Sequence, residues 1–340
     1  MAPSRVDTVN TTTYNPSKVQ ERTQTGDWRD DFFRDGFAVI KNVLPKDRAQ
    51  QYRSDSLTWL KSFGLGFDRN DNSTWKKENL PQNWKGGMYL HFSAAHENYM
   101  WDIRCEPGVI NPFSELWGTE ELVVSFDTVN ITLPQSIVGP YDSSPWPHVD
   151  QAPERRGLRC VQGIVNLSNS GPNDGGLVVM KKSSSFFNQF FDENPVTGPT
   201  PWRTAKHEDF HPFQEKDLDW YHAQGCELMK VCAEPGDLIL WDSRQMHWAQ
   251  FGESDLIRTI AYVTYTPAAW MSGEDRLSKK ELFKHYETTT HWPHTNLFSH
   301  GKAMVTVDGV ETPDPVETDE PITKPVKSEK LLKLAGALPY

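Results

Sequence analysis

Apolar and polar residues alternate over short stretches through much of the chain, and each stretch ends in a turn former. Phe37 to Ile40, Leu122 to Phe126, Thr128 to Leu133, Cys160 to Leu167, Leu177 to Met180, Cys226 to Cys232, Asp237 to Trp241 and Arg258 to Tyr265 read as strands. The densest turn signal, Asn169 to Gly176, separates two of them. Helical spacing gathers upstream. Asp27 caps a short helix through Phe33 that Gly36 ends, and Pro45 opens a longer one carrying Ala49, Tyr52, Leu57, Leu60 and Phe63. Ala94 to Arg104 and Pro112 to Trp117 add two more, and Ser278 to Tyr286 and Glu329 to Ala335 are helical further on. The pattern predicts a mainly β protein with flanking helices: a sandwich or barrel with the helices packed outside it.

Breaks in the pattern divide the chain. Residues 1–25 are polar without periodicity and read as a flexible arm, and 26–302 read as a single domain. Within it, residues 64–87 form a long surface connection bordering a pocket. Residues 183–224, with Pro195, Pro199, Pro201, Pro212 and many charges, read as a lid-like insertion. Residues 303–340 read as a Pro-rich acidic tail whose end, Glu329 to Ala335, docks on the body. A net charge of -11 argues against nucleic acid or an anionic membrane as partner and leaves a small molecule; it says nothing of oligomeric state. The four cysteines form no CxxC pair and read as reduced. The first residues lack an apolar signal core and no run approaches the ~18 apolar residues of a membrane span, so the expectation is a soluble, cytoplasmic protein.

His148 and Asp150 stand two apart, and on a strand such residues share a face. His247, at the end of the apolar run Leu238 to Trp241 and its polar continuation, supplies a third group. Two histidines and one carboxylate leave three open positions on an iron, the donor set of non-haem Fe(II) oxygenases; a buried His–Asp hydrogen bond is the plain alternative. His207, Glu208 and His211 spell HExxH, a zinc-peptidase motif that requires a continuous helix, but Pro212 biases His211 away from helical geometry. Arg258 lies in an alternating strand beside Ile260 and Tyr262, where a cation needs an anion. A carboxylate of a dicarboxylic cosubstrate fits its planar fork, and a salt bridge to Asp237 or Asp242 is the alternative.

Taken together, these residues resemble the phytanoyl-CoA dioxygenase family of Fe(II)- and 2-oxoglutarate-dependent oxygenases. The resemblance runs from about Phe32 to Pro267 and rests on Asp35 to Ile40, the pair His148 and Asp150, Gly175 to Val179, Pro235-Gly236-Asp237, His247 and Arg258 at the family's spacing. It implies a double-stranded β-helix, a cupin-like jelly-roll barrel, with iron on His148, Asp150 and His247. It implies that 2-oxoglutarate is held by Arg258 and that O2 is consumed to oxidise, typically hydroxylate, a C–H bond with release of succinate and CO2. Ala249 stands where a small hydroxyl residue often helps hold the cosubstrate, so Thr259, Thr264, Gln162 and Asn130 are the substitutes to test. Asp150 occupies the position that halogenating relatives leave small. Trp146, Tyr89 and Trp202 are candidate pocket walls, and Arg155, Arg156, Lys181 and Lys182 candidate anion contacts. A non-catalytic jelly roll that binds a metal or ligand is the reading from another class.

Overall fold

The computed structural model of the chain describes residues 24–142, 144–196 and 209–340. Asp27 accepts the backbone N–H of Arg29, and Gly36 takes a left-handed φ of 85°, so α1 (Trp28–Asp35) ends where expected and β1 (Phe37–Ile40) starts directly after it. Three helices form a layer: α2 (Lys46–Ser62), α3 (Asn98–Cys105) and α4 (Pro107–Trp117). The last begins earlier than its expected start at Pro112. Pro107 sets its first turn and Pro112 sits inside it, forfeiting one intrahelical bond.

The chain then runs β2 (Leu122–Val124), β3 (Val129–Thr132), α5 (Gln135–Val138), β4 (His148–Val149), β5 (Val161–Asn166), β6 (Gly176–Lys181), α6 (Ser183–Glu193), β7 (His211–Pro212), α7 (Glu215–Ala223), β8 (Glu227–Lys230), β9 (Leu238–Asp242), β10 (His247–Gln250) and β11 (Arg258–Pro267). After it come α8 (Gly273–Lys284), the hairpin β12 (Met304–Val307) and β13 (Val310–Pro313), and α9 (Glu329–Leu334).

The strands form two antiparallel sheets. One has the order β1-β9-β5-β11-β2 with β3 also paired to β11, and the other β7-β4-β10-β6-β8. From β4 to β11 the chain passes repeatedly between them, which is the winding of the double-stranded β-helix. The sheets meet by packing: among the described residues no strand pairs into both. Period-two burial makes the layers. Ile164, Ile239, Trp241 and Ile260 of the first sheet face Leu177 and Val179 of the second, while Leu238, Leu240, Ala261, Val263 and Tyr265 point the other way, into the helical layer.

The described parts of the insertion, 183–196 and 209–224, are more ordered than their prolines and charges suggest. Phe187, Phe190 and Phe191 of α6 and Tyr221 of α7 are buried with Val149, Met180 and Met246 against the outer side of the second sheet, and β7 extends that sheet beside β4. The aromatic spacing in α6 was the overlooked signal. Residues 197–208 of the expected lid, with Trp202, His207 and Glu208, lie outside the described residues, as does the expected arm over 1–23.

Residues 303–340 lie along the body. Glu97 accepts the N–H groups of Ile322 and Thr323 at 2.6 and 2.9 Å, Glu317 accepts that of Phe92 at 2.9 Å, and Leu331 and Leu334 of α9 join the helical core. The acidic composition here does not keep the segment in solvent, because carboxylates pair with backbone donors across the contact, the buried Glu97 of the body with the segment and Glu317 of the segment with the body. Among the described residues no helix is long and apolar enough to cross a membrane.

Candidate metal and cosubstrate site

The pairing of β10 with β4 sets His247 directly opposite His148. Asp150 is fixed just beyond β4, where its N–H donates to Ser243 O at 3.0 Å. The three side chains thus meet between the sheets, with their ligand atoms within 4.8 Å of one another. His148 Nδ1 lies 3.0 Å from Trp146 O, and His247 Nδ1 lies 2.9 Å from Gln245 O. A carbonyl only accepts, so each ring carries its proton on Nδ1 and turns the Nε2 lone pair inward. Those Nε2 atoms stand 3.6 and 3.2 Å from the Asp150 oxygens.

Electrostatics suit a cation. Burial, reinforced by the neighbouring His247, pushes His148 down to about 4, so it is neutral and ligand-ready at pH 7. Burial alone raises Asp150, but His291, His148 and His247 together outweigh it and hold the carboxyl well below the usual carboxylate range. Gln162 Nε2 donates to Asp150 Oδ2 at 2.8 Å and orients it. The plain alternative, a structural His–Asp hydrogen bond, does not explain two inward lone pairs converging on one carboxylate.

The triad opens on a cavity of about 410 Å³, lined also by Trp84, Trp146, Phe210, Trp241, Trp292 and Arg258. Arg258 is 8% exposed. Neither expected salt-bridge partner is available to it, since Asp237 pairs with Lys41 at 2.8 Å and Asp242 with Arg244 at 2.6 Å. Its one hydrogen bond to a described residue is a long one, Nη1 to Asn130 Oδ1 at 3.4 Å, and its Nε is buried without a partner. Gly176 makes room for it. A Cβ there would come within 3.3 Å of both Arg258 Nε and Nη2, and the φ of 113° is one that only glycine adopts readily.

The other candidates divide. Gln162 reaches the metal ligand and Asn130 reaches Arg258, whereas Thr259 faces the helical side of β11, opposite to Arg258. Thr264 shares Arg258's face and pairs across to Gln162 but does not line the cavity. Trp146 is a wall, stacked on His148 at 4.3 Å; Tyr89 is core, packed on Trp59. Arg155 bonds Asp209 at 2.8 Å, Arg156 bonds Asp192 at 3.0 Å and Lys181 lies 3.3 Å from Asp35, so these are structural contacts. Lys182 precedes α6 in a left-handed conformation and does not line the cavity. His211 sits on a strand, so HExxH has no helix to work from at that end. Sequence reading missed Asp127 and the segment 289–300, whose Thr289, Thr290, His291, Asn296 and His300 line the cavity. Its signal was an unassigned run of histidines and threonines between α8 and the hairpin.

No family model matches the chain. It is 41% identical over 298 residues to "Ava biosynthesis cluster protein O" of Aspergillus versicolor, covering 85% of this chain and 96% of that one. It is 21% identical over 293 residues to a "Putative phytanoyl-CoA dioxygenase" of Dictyostelium discoideum, covering 74% and 78%. Among solved structures, the epimerase SnoN in complex with Fe3+, alpha ketoglutarate and nogalamycin RO superposes with a TM-score of 0.47 at 16% identity, covering 75% of this chain and 85% of that one. The chain belongs to the family of the Aspergillus versicolor protein, and its buried two-histidine, one-carboxylate site has the donor set of non-haem iron oxygenases.

Proposed function

We propose that the protein oxidises, by hydroxylation, a C–H bond of a small metabolite in secondary metabolism, coupled to conversion of 2-oxoglutarate into succinate and CO2. The observation that carries this is the placement of a buried Arg258, which has no carboxylate partner among the described residues, in the same cavity as the His148, Asp150 and His247 triad. The biosynthesis-cluster relative supports the metabolic setting, and the four free cysteines suit a cytoplasmic location.

Iron, when bound, supplies the activation of O2 and the oxidative decarboxylation of the cosubstrate. His148, Asp150 and His247 would hold it, at the wall of the cavity that they line. Arg258, steadied by Asn130, takes the distal carboxylate of 2-oxoglutarate as a charge-assisted fork. Gln162 keeps Asp150 from rotating. Ile164, Leu177 and Trp241 line the cavity with apolar surface and exclude water.

Protein reconstituted with Fe(II) and 2-oxoglutarate should release succinate, lose that activity to a chelator and regain it with Fe(II) but not Zn(II). Binding of 2-oxoglutarate without any succinate release would favour the non-catalytic jelly roll. Gly176→Ala provides a structural check on the cosubstrate seat. It should cost roughly 1–3 kcal/mol of stability by denaturant unfolding and raise the 2-oxoglutarate requirement; an unchanged requirement would detach Gly176 from the Arg258 seat.

A further inference from the structure

Asp127 follows β2 and lines the wall of the cavity. The residue is 8% exposed, and one carboxylate oxygen accepts the N–H of Thr128 at 2.8 Å. Among the described residues the other oxygen has neither a hydrogen bond nor an ion pair, because the nearby Arg104 spends its guanidinium on the backbone carbonyls of Ala95 and Asp127. The other lining carboxylates are accounted for: Asp150 is a metal ligand and Asp209 pairs with Arg155. Beside Asp127 runs the segment after α8, whose Thr289 N–H donates to Phe126 O at 2.9 Å and which brings His291, its Nε2 likewise buried without a partner among the described residues, to the same cavity.

The charges of the loaded site sharpen the point. The two positive charges of iron(II) and the one of Arg258 balance Asp150 and dianionic 2-oxoglutarate. Asp127 is then the cavity carboxylate that has no ion pair among the described residues, with only His291 and Arg104 favouring its charge electrostatically from beyond contact, and a cation entering the cavity would give it the direct partner it lacks. The walls around it are rings, with Trp84, Trp146, Phe210, Trp241 and Trp292 among them. Ring faces stack on a flat substrate and attract a cation as well.

We propose that Asp127 anchors the substrate through a protonated nitrogen, so that the substrate is a basic small molecule with an aromatic body. This rests on the oxygenase reading and adds a substrate class to it. Asp127 is a specificity residue: it holds one end of the molecule so that the reacting carbon faces the metal.

Calorimetry on protein loaded with Mn(II) and 2-oxoglutarate tests this with three matched probes: tryptamine, neutral 3-ethylindole and anionic indole-3-acetate. Tryptamine should bind at least about tenfold more tightly than 3-ethylindole, as a hydrogen bond to a charged group requires, and indole-3-acetate should bind most weakly. In Asp127→Asn, which keeps the acceptor for Thr128, tryptamine and 3-ethylindole should come within about twofold of each other, with 3-ethylindole binding unchanged. Equal binding of the cation and its neutral isostere by the unmutated protein overturns the proposal, and that comparison stands whether or not the variant folds. So does a preference that survives Asp127→Asn, or no binding of any probe. Failure of the Mn(II) protein to bind 2-oxoglutarate at all would instead overturn the oxygenase reading.

Discussion

Asp150→Ala is expected to abolish succinate release, a fall of about 10³-fold or more, since removal of a ligand should exceed the 10–100-fold typical of losing an outer-shell partner. The reason is local. Asp150 is the sole carboxylate of the triad, and it sits 3.6 and 3.2 Å from the inward nitrogens of His148 and His247. Without it the site offers two imidazoles and no anionic donor, too few to retain Fe(II) against water. Gln162→Leu should show the graded version, weakening metal affinity about 10–100-fold, because the carboxylate loses the 2.8 Å bond that orients it. Metal titration followed by fluorescence quenching separates the two variants from misfolding, provided both keep the unmutated unfolding midpoint without metal. Undiminished Fe(II) binding in Asp150→Ala would remove it from the ligand set.

Much of this centre was legible because it depends on local rules. Strand alternation puts His148 and Asp150 two residues apart, and an apolar run with a polar end delivers His247; both are visible without knowing how strands pair. The pairing of β10 with β4, which makes the site, is a long-range event that no local pattern encodes. Thr259 and Thr264 show the limit of reading composition without face. Thr259 lies one residue from Arg258 and therefore on the opposite side of β11. Asp127 and His291 were invisible for the opposite reason. Neither belongs to a motif, and they acquire meaning only when the segment after α8 folds back onto the end of β2, where Thr289 N–H reaches Phe126 O, and lines the cavity. Prolines and charges made 183–224 look like a loop, and the buried faces of α6 and α7 show that four well-spaced aromatics outweigh them.

Arg258 carries the second large effect, and it separates a functional cation from a structural one. A guanidinium that held the fold together would have close acceptors, as Arg104 has in the carbonyls of Ala95 and Asp127; among the described residues Arg258 has only Asn130, at 3.4 Å. Burial lowers its pKa, the direction expected when the charged form is poorly compensated. Lys230, whose Nζ donates to Val231 O at 2.8 Å, is pushed down to about 8 by burial, with Arg258 adding to the shift, so two cations share this end of the sheet sandwich. Lys230 does not line the cavity, so an entering dicarboxylate would meet Arg258. Arg258→Met should therefore leave the protein without cosubstrate as stable as before, or more stable, since it replaces an uncompensated charge by apolar volume. The same change should raise the 2-oxoglutarate requirement roughly 30-fold or more, the loss of about 2 kcal/mol or more that follows truncation of one partner in a buried charge pair. It should also cancel the thermal stabilisation that saturating 2-oxoglutarate confers on the Mn(II)-loaded protein. Arg258→Lys should recover only part of the affinity, because a single ammonium lacks the fork. A drop in stability with an unchanged cosubstrate requirement would make Arg258 a structural residue and leave 2-oxoglutarate without its anchor.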